Sequence, residues 1–220
     1  MPEITLVLGN KNYSSWSLRP WLVLEHLREN HGLQFREERI ALFEDGFREA
    51  IRERSAAGKV PILIEGALTV HDSLAICEYL ADRFPSARLW PDAVTERARG
   101  RAIAAEMHSG FPALRAQMPM NCRRRGVQVE RTPELEADIA RVQQIWRDCR
   151  ERADGGPWLF GAFTIADAMY APVVSRFVTY DVDCSGIVGE YRDTVLGDAA
   201  MRRWLAAAAA ESEVIPPYEL

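Results

Sequence analysis

The stretch Asn10-Lys11-Asn12-Tyr13-Ser14-Ser15-Trp16-Ser17-Leu18-Arg19-Pro20-Trp21 is crowded with hydroxyls and stands between two different periodicities. Before it, Ile4-Thr5-Leu6-Val7-Leu8 is a short apolar run of strand type, closed by Gly9. After it, Trp21, Leu22, Leu24 and Leu27 recur at helical spacing. The stretch is therefore a strand-to-helix turn. A helix start carries unpaired N–H groups and a partial positive charge, so it is a seat for an anion, and a serine hydroxyl there has a proton to donate. Serines at such a place also cap helices, and on this stretch alone both readings are open. Pro20 lacks an N–H and fits most easily in a first turn. That makes Ser17 the expected N-cap and leaves Ser14 and Ser15 in the loop before it.

Downstream, the helix is expected to run to Asn30 and to stop at Gly32. Phe35–Ile40 reads as a strand, polar in part as an edge strand is, and Phe43–Glu53 has helical spacing. Val60-Pro61-Ile62-Leu63-Ile64-Glu65 is an apolar strand opened by a proline. The two-residue turn Gly66-Ala67 joins it to Leu68-Thr69-Val70 as a hairpin. Asp72-Ser73 then precedes Leu74, Ile76, Cys77, Leu80 and Ala81, a helix to Phe84. Here again a carboxylate and a hydroxyl stand at a helix start, and taken alone the pair is an ordinary N-cap.

Strands alternating with helices predict a mixed α/β unit over residues 1–84. Pro85-Ser86-Ala87 and Trp90-Pro91-Asp92-Ala93 mark residues 85–94 as a linker. Residues 95–220 carry helical patterns only. One helix is expected from Thr95 to Arg115, interrupted at Gly110 and Pro112. Thr132-Pro133 opens the next, with the stripe Leu135, Ile139, Val142, Trp146, Cys149. Thr164-Ile165-Ala166-Asp167 is a capping box ahead of the apolar run Ala168–Val174. A last helix contains Met201, Trp204 and Leu205. The expected architecture is α/β followed by all-α.

Composition narrows the function. The chain has 220 residues, 48% of them hydrophobic, and a net charge of −5, which argues against a nucleic-acid partner. No apolar run approaches the ~20 residues of a membrane span, and no basic start precedes an apolar run as in a signal peptide. Cys77, Cys122, Cys149 and Cys184 form no C-x-x-C pair, and His26, His31, His71 and His108 lack metal-ligand spacing, so no metal is expected. Reduced thiols and a cytoplasmic location follow as expectations.

Taken together and in order, the serine-rich turn Ser14-Ser15-Trp16-Ser17, the strand opened by Val60-Pro61 and the pair Asp72-Ser73 before Leu74-Ala75-Ile76-Cys77-Glu78-Tyr79-Leu80 resemble the glutathione transferase family. The turn resembles that of the serine classes, zeta among them, although the zeta class has Cys where this chain has Trp16. The resemblance implies a thioredoxin-like N-terminal domain, an all-helical C-terminal domain and a homodimer. It implies a cis Pro61, with Val60 pairing through its backbone with the cysteine of glutathione. It implies that Asp72 and Ser73 hold the γ-glutamyl end, and that Lys59 and Trp16 lie beside the tripeptide. Ser14 or Ser15 would donate to the thiolate, with Ser14 ranked ahead by similarity to the zeta-like motif. Lack of a Cys at the turn separates the chain from the disulfide-reducing cysteine classes.

For a second substrate, His108 and Phe111, with Met107 and Met118, read equally as pocket or as core. Arg176, emerging from the apolar helix, is a candidate for holding a substrate carboxylate. Arg123-Arg124-Arg125 reads as a solvated turn rather than an acid-binding patch. The chemistry implied is activation of glutathione. A thiol of pKa ~8.5 is a few per cent ionised at neutral pH, and lowering that by ~2 units takes about 2.7 kcal/mol. One hydroxyl donating to a charged acceptor supplies ~1.5–3 kcal/mol, and a helix start adds ~0.3–2. The expected function is addition of the thiolate to a small electrophile. Two alternatives are glutathione-dependent cis–trans isomerisation of an unsaturated diacid, as in maleylacetoacetate isomerase, and a non-catalytic binding protein.

Overall fold

The computed structural model describes residues 3–219, so the outer limits 1 and 220 of the two expected units lie outside the described residues. The first half contains β1 (Ile4–Leu8), α1 (Ser15–His31), β2 (Phe35–Arg39), α2 (Phe47–Arg54), β3 (Ile62–Glu65), β4 (Leu68–His71) and α3 (Ser73–Arg83). The strands form a four-stranded sheet of order β2-β1-β3-β4. β1 runs parallel to β2 with Ile4 opposite Phe35, and antiparallel to β3 with Val7 opposite Ile62. The partly polar β2 is thus an edge, as its sequence predicts. β4 closes the other side as a hairpin on β3, across a turn in which Gly66 has φ 61°.

The period of two in β1 divides the sheet faces. Val7 packs with Ile40, Ile51 and Ile62 under α2. Ile4, Leu6 and Leu8 face the other way, into a core continuous with α1, α3 and the helices of the second half. α1 is buried on nearly all sides, packed against α3, α7 and α9 as well as the sheet. A helix wrapped like this is held by tertiary packing, and any polar group along it needs an internal reason.

The second half is helical: α4 (Val94–Ser109), α5 (Pro112–Gln117), α6 (Pro133–Arg152), α7 (Ile165–Thr179), α8 (Gly186–Gly197) and α9 (Ala199–Ala210). α7 is its buried axis, with Ile165 to Phe177 buried without a break. Its capping box forms as read: the Asp167 carboxylate accepts from the Thr164 N–H at 2.8 Å and from the Leu159 N–H at 3.0 Å. Among the described residues, no helix is long and apolar enough to cross a membrane.

Two expectations need correction. Ser17 is not the N-cap of α1. Ser14 is, its hydroxyl accepting from the Ser17 N–H at 3.4 Å. Pro20 sits in the second turn, where it removes one helical hydrogen bond without ending the helix. The helix expected from Phe43 starts only at Phe47, because Gly46 takes the left-handed conformation at φ 78° and breaks the chain direction. Phe43 is left in the preceding turn, exposed. The interruption expected within Thr95–Arg115 at Gly110 and Pro112 is a break between α4 and α5. The Phe111 backbone at φ 61° turns the chain, and Pro112 opens the second one.

Candidate functional site

The start of α1 is built by a relay of hydroxyls. The Ser14 hydroxyl donates to Ser17 Oγ at 2.8 Å, and Ser17 Oγ also accepts from the Gly9 N–H at 3.1 Å. A Cβ at Gly9 would stand 2.6 Å from Leu42 Cδ1, so a larger residue there would have to displace the Leu42 side chain. Asn10 Oδ1 accepts from the Leu42 N–H at 2.7 Å and ties the turn to the loop before α2. Ser15 occupies the first helical position, and its hydroxyl makes no hydrogen bond among the described residues. Of the two candidate serines, Ser14 is engaged in capping and Ser15 is free to donate.

The third strand is led by a cis Val60-Pro61 peptide bond. Asp72, with φ 78°, caps α3: Oδ1 accepts from the Leu74 and Ala75 N–H groups at 2.9 and 3.1 Å. Its other oxygen lies 3.1 Å from His108 Nε2, a contact from the sheet unit to α4. His108 is pushed to lower pKa by its burial first, with Arg19 and Arg115 adding to that, while Asp72 opposes. A neutral His108 donating Nε2–H to Asp72 fits this direction.

These elements face one cleft of about 880 Å³, between the sheet unit and the helical half. Ser14, Ser15, Trp16, Lys59, Val60, Pro61, Asp72, Ser73, His108 and Arg176 all line it. That volume is in the range of small-molecule sites. Phe111 does not belong to this wall. It is buried in the helical core, as are Met107 and Met118, because the turn it makes into α5 points it inward. Met120 and Pro119 line the cleft instead.

Arg176 lies buried at the end of α7. Its Nε donates to the Met118 carbonyl at 2.8 Å, and its Nη1 has no partner among the described residues. Burial, and then the charge of Arg115, lower its pKa to about 10, so it remains a cation at neutral pH. Arg115 was not visible as a site residue in the sequence. It donates to the carbonyls of Gly110 at 2.8 Å and of Met107, closing the C-terminus of α4, and presents its guanidinium carbon 4.9 Å from the centre of the Trp16 ring. Trp16 itself is partly exposed, with His108 edge-on to it at 5.3 Å between ring centres.

The reading of Arg123 as part of a solvated turn is also corrected. Arg123 is half-buried and donates to Tyr13 Oη at 2.7 Å and to the Glu213 carbonyl at 2.9 Å. It draws the C-terminal segment over the opening turn. There Glu211 accepts from the Lys11 and Asn12 N–H groups at 2.7 and 3.0 Å, and Asn121 donates to the Tyr218 carbonyl at 3.0 Å. The Tyr13 hydroxyl is bonded to Glu219 at 2.5 Å, and burial followed by that carboxylate raises its pKa. Tyr13 thus lines the cleft with its hydroxyl tied to the tail. Tyr218, carried by the same tail, forms part of the cleft wall. These partners are 90 to 206 residues apart, and no local pattern announces them.

The fold and cleft define the class: a thioredoxin-like sheet unit, with a serine-started helix and a proline-led strand, joined to a helical half along a cleft. The model of the glutathione S-transferase N-terminal domain matches residues 13–83, and that of the C-terminal domain matches residues 130–207. The chain belongs to the glutathione S-transferase family. Among curated proteins, a probable maleylacetoacetate isomerase from Caenorhabditis elegans is 29% identical over 100 residues, 46% of this chain and 44% of that one. A second, from Vibrio cholerae serotype O1, is 42% identical over 48 residues, 22% of each chain. The chain thus aligns with less than half the length of these relatives. Among solved structures, a glutathione transferase homologue from Burkholderia gl BGR1 with bound glutathione has a TM-score of 0.70 at 20% identity, covering 94% of this chain and 98% of that one. A bacterial zeta-class maleyl pyruvate isomerase has a TM-score of 0.70 at 20% identity, covering 96% and 100%. At that identity the likeness is one of fold.

Proposed function

We propose that the chain is a glutathione-dependent enzyme that directs the glutathione thiolate at a small electrophile. The observation that carries the reading is the convergence of Ser15, Val60-Pro61 and Asp72-Ser73 on one cleft. Glutathione, when bound, supplies the thiol. Asp72 would take the α-ammonium of the γ-glutamyl group, Ser73 its carboxylate, and the Val60 backbone the cysteine. That places the sulfur at the start of α1. There the Ser15 hydroxyl donates to the sulfur and the helix N-terminus favours its negative charge, together enough for the ~2.7 kcal/mol the ionisation requires. The rest of the cleft, toward His108, Arg115 and Arg176, would take the electrophile and hold it close to the nucleophile.

Isomerisation of an unsaturated diacid is a second reading, and Arg176 favours it. A buried guanidinium with an unpartnered Nη1 at the cleft is suited to a carboxylate. Addition of the thiolate to the double bond, rotation about the resulting single bond and loss of the thiolate would return the substrate in the other geometry. The maleylacetoacetate isomerase relatives are consistent with this. A homodimer and a cytoplasmic location belong to the same proposal, supported by the family.

The test is an assay of the purified protein with glutathione against neutral electrophiles and cis-unsaturated diacids, with products separated as conjugates or isomers. Conjugates of neutral electrophiles support transfer. Isomerised diacid, with KM raised at least ~10-fold in Arg176→Met and little change for neutral substrates, supports the second reading. Absence of both activities, with no glutathione binding, would leave the non-catalytic reading.

A further inference from the structure

Arg19 occupies a position where α1 otherwise buries Leu18, Trp21 and Leu22, and none of its surface is exposed. Its Nη1 donates to Ser73 Oγ at 3.4 Å, and its guanidinium carbon lies 4.3 Å from the centre of the Trp16 ring. Nε and Nη2 have no hydrogen-bond partner among the described residues. No carboxylate there forms an ion pair with it, and the charge of Asp72 acts on it without pairing. Burial, and then the charges of Arg115 and Arg176, lower its pKa to about 9, which leaves it protonated at neutral pH.

A buried guanidinium with two idle donors and no counterion is destabilising to an empty fold, and an apolar side chain of similar volume is commonly the more stable choice. Such a group is retained where function uses it. The geometry says how. Ser73 and Trp16 line the cleft, and Arg19 stands one layer behind them. A Ser73 hydroxyl that accepts from Arg19 has its own proton turned elsewhere, free to donate into the cleft. The charge behind it acts through a poorly screening interior.

We propose that Arg19 is a positioning residue for a ligand carboxylate: it fixes Ser73 as a donor to that carboxylate and backs it with an otherwise uncompensated positive charge. The proposal rests on the reading that the cleft takes glutathione, whose γ-glutamyl end carries an α-ammonium matched to Asp72 and an α-carboxylate matched to Ser73 and Arg19. The sheet unit thus offers a zwitterion complementary charges at the start of α3.

The test measures thermal midpoints without ligand, and glutathione affinity by calorimetry, for the wild type, Arg19→Met, Arg19→Gln, Arg19→Lys, Ser73→Ala and the double variant Arg19→Met/Ser73→Ala. Arg19→Met is expected to be at least as stable as the wild type and to bind glutathione at least ~10-fold more weakly. Arg19→Lys is expected to recover part of the loss. The double variant is expected to bind no more weakly than the weaker single, because the two residues act on one group. A packing role would show the opposite: a lowered midpoint in both Arg19→Met and Arg19→Gln with affinity retained. That result overturns the proposal, as do losses that multiply in the double variant. A wild type that does not bind glutathione removes the reading of the cleft itself, whereas binding unaffected by Arg19→Met removes only the role of Arg19.

Discussion

The Ser14 hydroxyl lies 2.8 Å from the Ser17 hydroxyl and spends its proton on it, while Ser15, one residue further on, has an unengaged hydroxyl at the cleft. The resemblance to zeta-like turns ranks Ser14 first as the thiolate donor. The proposed function takes Ser15 instead, because its hydroxyl is the unengaged one. In Ser15→Ala the pKa of bound glutathione, read from thiolate absorbance, is expected to rise by ~1–2 units with stability unchanged. Ser14→Ala is expected to lower stability by ~1 kcal/mol as the loss of an N-cap. A thiolate pKa that stays low in Ser15→Ala and rises in Ser14→Ala would reverse the assignment.

Asp72 performs two tasks that a pair of substitutions separates. Asp72→Ala removes both the cap of α3 and the charge, so stability is expected to fall by ~1 kcal/mol and glutathione binding to weaken by ~2–5 kcal/mol. Asp72→Asn keeps an oxygen for the Leu74 and Ala75 N–H groups and tolerates the positive φ. It is expected to keep stability and lose affinity. Equal affinity in wild type and Asp72→Asn, by calorimetry, would reduce Asp72 to a cap.

His26 stacks on Phe163 with ring centres 4.5 Å apart, and its pKa is lowered by burial and then by His31, against weaker help from Asp198 and Glu29. A histidine with a depressed folded-state pKa binds its proton more readily when unfolded. Its contribution to stability is therefore present above the unfolded pKa of about 6.5 and lost as pH falls through the lower folded value. His26→Phe, which keeps an aromatic ring against Phe163, is expected to flatten the acid side of the melting temperature against pH. An unchanged slope would show that other groups set it.

The homodimer is tested by sedimentation. A species of twice the 24.9 kDa chain is expected at micromolar concentration. A single species of 24.9 kDa would remove the dimer from the proposal.

The sequence by itself determined the α/β-then-helical order, the edge position of β2, the β3–β4 hairpin and the starts of α3, α6 and α7. Each rests on a local rule: period two or 3.6, Gly at a positive φ, Pro at a first turn, or a hydroxyl or carboxylate at an N-cap. It also pointed to Ser14, Ser15, Asp72, Ser73 and Arg176, because polar residues at helix starts and an arginine after an apolar run are visible in one dimension. The tertiary structure alone decided which hydroxyl at the turn is free, since that depends on Ser17 being bonded to Gly9 across the turn. It alone placed Phe111 in the core, His108 against Asp72, and Arg123 between Tyr13 and the C-terminal segment. Arg19 shows the divide most sharply. Its charge among Leu18, Trp21 and Leu22 is readable, but the cost of burying it and the use made of it depend on Ser73 and Trp16 standing between it and the cleft. Hydrogen-bond satisfaction and desolvation are set by neighbours far away in the chain, and such neighbours are assembled only by folding.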